Sequence, residues 1–273
     1  MAAVLCLSAG AAQGASRGEP TLDVPFVPTP MVVVDEMLRL ANVGPADVVM
    51  DLGSGDGRTV IAAAKKFGAR AVGVELDPHL LIQSEESARQ AAVEARVKFV
   101  EQDLFKADLS AATVITMYLY PSVILKLRPR LLALRPGTRV VSHDYNLGEW
   151  RPDRTSTIRK DVYLWIVPAQ VGGRWQMRLA LPPIERVIEL DLEQRFQEIS
   201  GHASVNGQSG PVWEAKLSGR QLSFIVIDGT DPGQETGLYF EGRVTGDTIE
   251  GRVTRGVGNE QAAAQWRAVR VAR

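Results

Sequence analysis

Apolar and polar positions follow two different rhythms in the two parts of this chain of 273 residues. After a polar stretch at 16–23, Pro-rich VPFVPTP (24–30) leads into MVVVDEMLRLANV. There Val34, Met37, Leu38 and Ala41 recur at helical spacing and predict a helix from about Pro30 to Ala41. DVVMDLG (47–53) is an apolar run ended by glycine, the signature of a strand buried on both faces. TVIAAAKKF follows as a helix and AVGVEL as a second buried strand. Asp77-Pro78 then opens a helix that runs to about Val93. VKFVEQD, TVITMYLY and TRVVSHD predict three more strands, with a helix over 121–132 between the last two. In TSTIRKDVYLWIVPA, two alternating runs flank Lys160-Asp161 and predict an antiparallel hairpin at the sheet edge. Strands alternating with helices imply right-handed crossovers, and so a doubly wound, mostly parallel, Rossmann-like α/β sheet over 24–170.

Beyond Gly172 the helical rhythm stops. Of the 25 glycines, 12 fall between Gly201 and Gly258, where they punctuate short alternating segments. VIELDLEQRF, PVWEAKL, QLSFIVID, GLYFEGRV, TIEGRV and QWRAVRVA predict a small all-β meander or barrel over 171–273. LSGRQLSF and VTGDTIEG share a spacing that points to similar hairpins.

Composition narrows the chemistry. Lys plus Arg at 31 against Asp plus Glu at 32 leaves a net charge of −1, so no global basic field draws the protein to nucleic acid. Cys6 is the only cysteine, which excludes an internal disulfide and a thiolate zinc site; histidines at 79, 143 and 202 only make a histidine metal cluster an unexpected feature. There is no G-x-S-x-G elbow. The leading MAAVLCLSAGAAQG is a short apolar run ending in small residues, like a secretory signal but without a basic start. It reads equally as an unstructured lead in 1–23, and it falls short of the roughly 20 residues that span a bilayer. No transmembrane anchor is expected, and location stays open between cytoplasmic and exported.

The most informative string is VVMDLGSGDGR (48–58), lying between a predicted strand and a predicted helix. In doubly wound sheets ligands bind beyond the carboxyl ends of the strands, where Gly53, Gly55 and Gly57 would let a ligand approach the main chain. The dinucleotide fingerprint G-x-G-x-x-G fails from either glycine, since the sixth position is Arg58 or Val60. Asp51 disfavours a pyrophosphate beside the loop and suits a cofactor that carries an ammonium and a sulfonium. Glu75 stands 22 residues after Gly53, near the offset at which an acid meets ribose hydroxyls. Asp103 ends the third strand, where it can accept a hydrogen bond from an adenine amino group.

This D-L-G-S-G-D-G, G-V-E-L-D-P, E-Q-D-L series resembles the motifs of class I S-adenosylmethionine-dependent methyltransferases over about 45–168. The resemblance implies a seven-stranded sheet, with Asp51, Gly53, Ser54, Gly55, Asp56 and Gly57 around the methionine part of the cofactor and Glu75 on its ribose. More narrowly, P-F-V-P-T (25–29), the glycine loop and Trp150-Arg151-Pro152-Asp153 are similar to the mitochondrial lysine methyltransferases of the ATP synthase c-subunit and the adenine nucleotide translocase. That likeness spans about 24–168 and implies that Pro25, Phe26, Pro28 and Thr29 close over the cofactor near its methyl group; a rigid extended linker is the structural alternative. The mitochondrial enzymes carry a membrane anchor, whereas this chain adds a β segment.

Acceptor candidates follow the fourth strand in MYLYPS. Tyr118, Tyr120 and Pro121 stand where this fold places acceptor-binding residues, and Tyr118 reads alternatively as a core aromatic in an apolar strand. His143, Asp144 and Tyr145 form a second acid-base set. The [ND]-P-P-[YF] motif of adenine and glutamine methyltransferases is absent. The reading is an S-adenosylmethionine-dependent methyltransferase acting on a protein lysine. A small-molecule acceptor, or a non-catalytic protein whose β segment docks a ligand or partner, remains open. An exported location conflicts with a cofactor made in the cytosol.

Overall fold

The computed structural model of the protein describes residues 26–181, 184–231, 234–256 and 262–272. The apolar leader with Cys6, the rest of the lead and Pro25 lie outside the described residues.

The first helix, α1 (Met31–Leu40), precedes β1 (Val48–Leu52), α2 (Arg58–Phe67), β2 (Arg70–Glu75), α3 (Pro78–Gln90), β3 (Val97–Glu101), β4 (Val114–Met117), α4 (Pro121–Leu132), β5 (Arg139–His143), β6 (Arg154–Thr157) and β7 (Asp161–Ile166). These strands form one seven-stranded sheet in the order β3-β2-β1-β4-β5-β7-β6, with β7 antiparallel to both of its neighbours and the other pairs parallel. The β6–β7 hairpin is the one that alternation around Lys160-Asp161 predicts.

Apolar residues that alternate along the strands feed two separate clusters. Val49, Val114, Val141 and Val162 meet α1 and α2 through Val34, Met37, Leu38 and Val60. Met50, Leu52, Ile115, Met117 and Val140 meet α4 through Ile124, Leu127 and Leu131, with Trp150 and Trp165 beside them. Strands that bury both faces are apolar at most positions, and the polar residues that β1 and β4 carry, Asp51 and Thr116, are themselves buried. Sequence signals also start the helices. The Asp77 side chain accepts from the His79 amide at 2.8 Å and Pro78 takes the first turn of α3. TVITMYLY is shorter as a strand than its pattern suggests. β4 ends at Met117, because the chain turns away from the sheet there and Tyr120 becomes the residue that caps α4.

The remaining strands are β8 (Gly173–Leu181), β9 (Ile184–Arg195), β10 (Glu198–Val205), β11 (Gln208–Pro211), β12 (Trp213–Ser218), β13 (Gln221–Asp231), β14 (Gln234–Thr245), β15 (Thr248–Arg255) and β16 (Ala262–Ala272). They build a second, nine-stranded antiparallel sheet in the order β11-β10-β9-β8-β16-β15-β14-β13-β12. Two meanders are joined where β16, the last strand, pairs with β8, the first. β10 also packs close to β12, so the sheet curls nearly into a barrel. Turn chemistry fixes the register. Asn206-Gly207 sits at φ 48° and 87°, and the two similar hairpins turn on Gly219 and Gly246 at φ 57° and 60°.

One cross-strand row inside this sheet shows how glycine and aromatic residues share space. Gly242, Gly251 and Trp266 are direct register partners on β14, β15 and β16. A Cβ on Gly242 would lie 2.6 Å from the Trp266 ring, and the indole N–H donates to the Glu241 carbonyl at 3.1 Å. Phe224 and Phe240 stack at 4.8 Å and meet Trp266 edge-on. The sheet docks on the α/β unit through Phe196, which stacks on Trp150 at 6.2 Å with the Arg128 guanidinium 5.8 Å from its ring.

Trp266→Ala is expected to destabilise the second sheet by about 3–5 kcal/mol, since it removes a buried ring that covers Gly242 and packs on Phe224 and Phe240. Urea unfolding followed by near-ultraviolet circular dichroism measures this; a loss below about 1 kcal/mol contradicts the packing role.

Candidate active site

The loop after β1 makes three left-handed turns in five residues, at Gly53 (φ 73°), Gly55 (φ 53°) and Gly57 (φ 76°). L-residues with a Cβ seldom take this conformation, so the sequence needs glycine here for the backbone alone. The Gly53 and Ser54 amides donate to the Val74 carbonyl at the end of β2, at 2.9 and 3.0 Å. Glu75, the next residue, accepts from the Gly55 amide at 2.8 Å with one carboxylate oxygen and from the Leu76 and Asp77 amides, at 2.8 and 3.1 Å, with the other. Ser84 on α3 donates to the Gly55 carbonyl at 2.9 Å. The loop is therefore pinned from two neighbouring elements.

Parallel register sets Asp51 between Gly73 on β2 and Thr116 on β4. Its carboxylate is buried and accepts from the Thr116 hydroxyl at 2.7 Å. Burial pushes the Asp51 carboxyl up to about 7 against the opposing hydrogen bonds from Thr116 and Thr59, with the nearby charges of Glu75 and Asp56 adding to the rise.

Across the loop lies the segment before α1. Phe26 covers Gly55 so closely that a Cβ there would overlap its ring. Arg58, a residue that the motif reading did not single out, ties the two together: its guanidinium pairs with Asp56 at 2.5 Å and donates to the Thr29 carbonyl at 2.9 Å. Asp56 is thus engaged by Arg58. Asp103 accepts from the Phe105 amide at 2.9 Å.

Phe26, Val27, Pro28, Thr29, Asp51, Gly53, Ser54, Asp56, Glu75, Asp103 and Tyr118 line one open cleft of about 970 Å³ beyond the carboxyl ends of the strands. Gly55 and Gly57 shape its wall without lining it. Tyr120 and Pro121 stand apart from it, with Tyr120 exposed at the start of α4. Tyr118, past the end of β4, is half-buried, and its ring packs 4.1 Å from that of His143. His143 is buried, with Nδ1 3.4 Å from the Thr29 hydroxyl, and its burial holds the imidazole below the usual histidine range and so neutral at pH 7. Tyr145 lies nearly parallel to Tyr118 at 6.2 Å. The strap, the first tyrosine of MYLYPS and the second acid-base set therefore converge at one end of the cleft.

The residues fit a cationic nucleoside cofactor. Among the described residues, four carboxylates and a single arginine line the cleft, and the Ser54 hydroxyl is buried with no protein partner. A 3-2-1-4-5-7-6 sheet with this loop and an acid ending β2 defines a methyltransferase that uses S-adenosylmethionine. Residues 51–154 match the ANTKMT methyltransferase domain. A protein-lysine N-methyltransferase of Saccharolobus islandicus is 40% identical over 151 residues, covering 53% of this chain and 94% of that protein. The ATP synthase C-subunit lysine N-methyltransferase of Mus musculus is 37% identical, and the match covers 55% of this chain but only 60% of the mouse enzyme. A solved structure from Salinibacter ruber, described as an RNA methyltransferase in complex with S-adenosyl-L-homocysteine, is 54% identical, with 53% of this chain and 96% of that one covered and a TM-score of 0.52. The chain belongs to the ANTKMT methyltransferase family.

The raised Asp51 carboxyl has a signed consequence for the unliganded protein. Between its unfolded value near 3.8 and about 7, the folded chain keeps a proton that the unfolded chain has released. The stability it contributes is fully present below about pH 4 and is lost as pH rises through about 7, at up to about 1.4 kcal/mol per pH unit. Urea unfolding at pH 5.5 and pH 8 is expected to show this decline in the wild type and a shallower one in Asp51→Asn. Identical slopes contradict the burial account.

Proposed function

We propose that this methyltransferase methylates a lysine side chain of a protein, with the cofactor lying along the cleft between Phe26 and Asp103. The observation that carries the cofactor placement is the Gly55–Glu75 hydrogen bond, which fixes an acid at the end of β2 against the left-handed loop. In this reading Glu75 takes the ribose hydroxyls and Asp103 the adenine side. Asp51, Gly53 and Ser54 hold the methionine part, and helices on both faces of a doubly wound sheet hold the loop in place. The chain divides near residue 170 into a catalytic domain and a β domain.

When bound, S-adenosylmethionine supplies a methyl group activated on a sulfonium. This chain's own residues then orient and exclude water. Phe26, Pro28 and Thr29 cover the methyl end, and Arg58 holds that strap to the loop through Asp56 and the Thr29 carbonyl. Tyr118 walls the acceptor side, and the positive charge of a bound cofactor would draw the buried Asp51 carboxyl, pushed up to about 7 by desolvation, towards its ionised form. Alignment and water exclusion of this kind lower a displacement barrier by roughly 7–11 kcal/mol in favourable cases. A lysine must arrive neutral at its attacking nitrogen, and the apolar strap disfavours the ammonium there.

Lysine is supported by the archaeal and mouse relatives and by the acceptor rim, where Tyr118, Tyr145, Asp144 and Asp161 offer aromatic and acidic surface. The Salinibacter description favours RNA as the second reading. A net charge of −1 and an acidic rim suit a cation better than a polyanion.

Incubating the purified chain with methyl-labelled cofactor and cell extract separates these readings. Label is expected in protein, released as methyllysine on hydrolysis; label in RNA or in metabolites instead contradicts the lysine assignment. Glu75→Ala is expected to weaken calorimetric cofactor binding at least about tenfold, as a charge-assisted hydrogen bond warrants. Unchanged affinity would remove Glu75 from the site.

A further inference from the structure

Near Tyr118, which lines the cleft, stands a lysine of the chain's own. Lys160, at the tip of the β6–β7 hairpin, places its ammonium 3.2 Å from the Asp144 carboxylate. Asp144 follows β5 directly, and its backbone is left-handed at φ 67°, a conformation that costs a residue with a Cβ and that glycine would take more easily. The strained turn is held by the Asp144 amide, which donates to the Asp161 carbonyl at 2.7 Å, and by the Tyr145 amide, which donates to the His143 carbonyl at 2.8 Å.

Two carboxylates stand on this rim and they are not equivalent. Asp161 accepts from the Thr157 hydroxyl at 2.6 Å and from the Tyr163 hydroxyl at 2.9 Å, so both of its oxygens serve the hairpin. Asp144 instead faces a cation. Its neighbours include the parallel rings of Tyr118 and Tyr145, and Tyr118 also lines the cofactor cleft. Contact with Asp144 holds the Lys160 ammonium above the usual lysine range, so the resident lysine is charged and is not a nucleophile while it stays there.

We propose that Asp144 is the docking residue for the acceptor's ammonium and that Lys160 occupies it as an intramolecular competitor that an incoming lysine must displace. The inference rests on the lysine reading of this site and adds the group that selects the acceptor. It also gives the hairpin a role: Lys160 is mostly solvent-exposed and leaves Asp144 without disturbing buried structure. The acceptor exchanges one ammonium for another on the same carboxylate before its proton leaves to water.

The test uses the full chain saturated with S-adenosylhomocysteine and Nα-acetyl-lysine amide as the acceptor probe, followed by chemical-shift titration. Relative to wild type, Lys160→Ala is expected to tighten probe binding at least about threefold, and Lys160→Arg, which keeps a cation on Asp144, to leave it within about twofold. Adding Asp144→Asn to Lys160→Ala is expected to weaken probe binding at least about tenfold against Lys160→Ala alone. Asparagine tolerates the left-handed turn, and retained S-adenosylhomocysteine affinity reports that each variant is folded. Equal probe affinity across the proteins, or no saturable probe binding in any of them while S-adenosylhomocysteine still binds, overturns the inference and leaves the cofactor reading standing. Failure of the wild type to bind S-adenosylhomocysteine overturns both.

Discussion

One hydrogen bond organises the α/β half of this protein: the amide of Gly55 on the carboxylate of Glu75, at 2.8 Å. It joins the loop after β1 to the end of β2, and the same carboxylate collects the next two amides of its own strand end. A carboxylate that accepts several amides is fixed in direction, so the acid and the glycine wall keep their relative positions before any ligand arrives. Gly55 must be glycine for two independent reasons, the left-handed φ and the ring of Phe26 lying against it.

From that fixed point the site extends in two directions. Towards the strap, Arg58 bridges Asp56 and the Thr29 carbonyl, so the segment that covers the cleft is tied to the loop it covers. Towards the acceptor side, Thr29 meets His143, His143 meets Tyr118, and Asp144 holds Lys160. Among the described residues, the nine-stranded sheet contributes none to the lining of this cleft. It attaches instead through Phe196 on Trp150 and through the Ala169 amide on the Gly219 carbonyl at 2.7 Å.

Sequence reading reaches the parts of this arrangement that local chemistry dictates. Gly53, Gly55 and Gly57 announce themselves because left-handed turns exclude most other residues, and the β1 run because burial on both faces favours apolar residues at all its positions but Asp51. The β6–β7 hairpin is visible in its alternation around Lys160. What stays hidden depends on register and on contacts far apart in sequence. Asp51 meets Thr116 only once β1 and β4 pair, and β16 meets β8 only when the second sheet curls. Arg58 reads as an ordinary first residue of a helix until its reach to Thr29 is seen. Tyr118 sits in an apolar run that looks like strand to Tyr120, yet β4 stops at Met117 and frees its ring for the cleft.

The central claim is that the glycine loop and Glu75 together hold the nucleoside of the methyl donor. A crystal structure of the chain with S-adenosylhomocysteine tests it most directly. The account predicts both ribose hydroxyls on the Glu75 carboxylate, with the thioether chain running past Gly53 and Gly55 beneath Phe26. Density for the ligand in any other part of the molecule, or ribose hydroxyls turned away from Glu75, would contradict it.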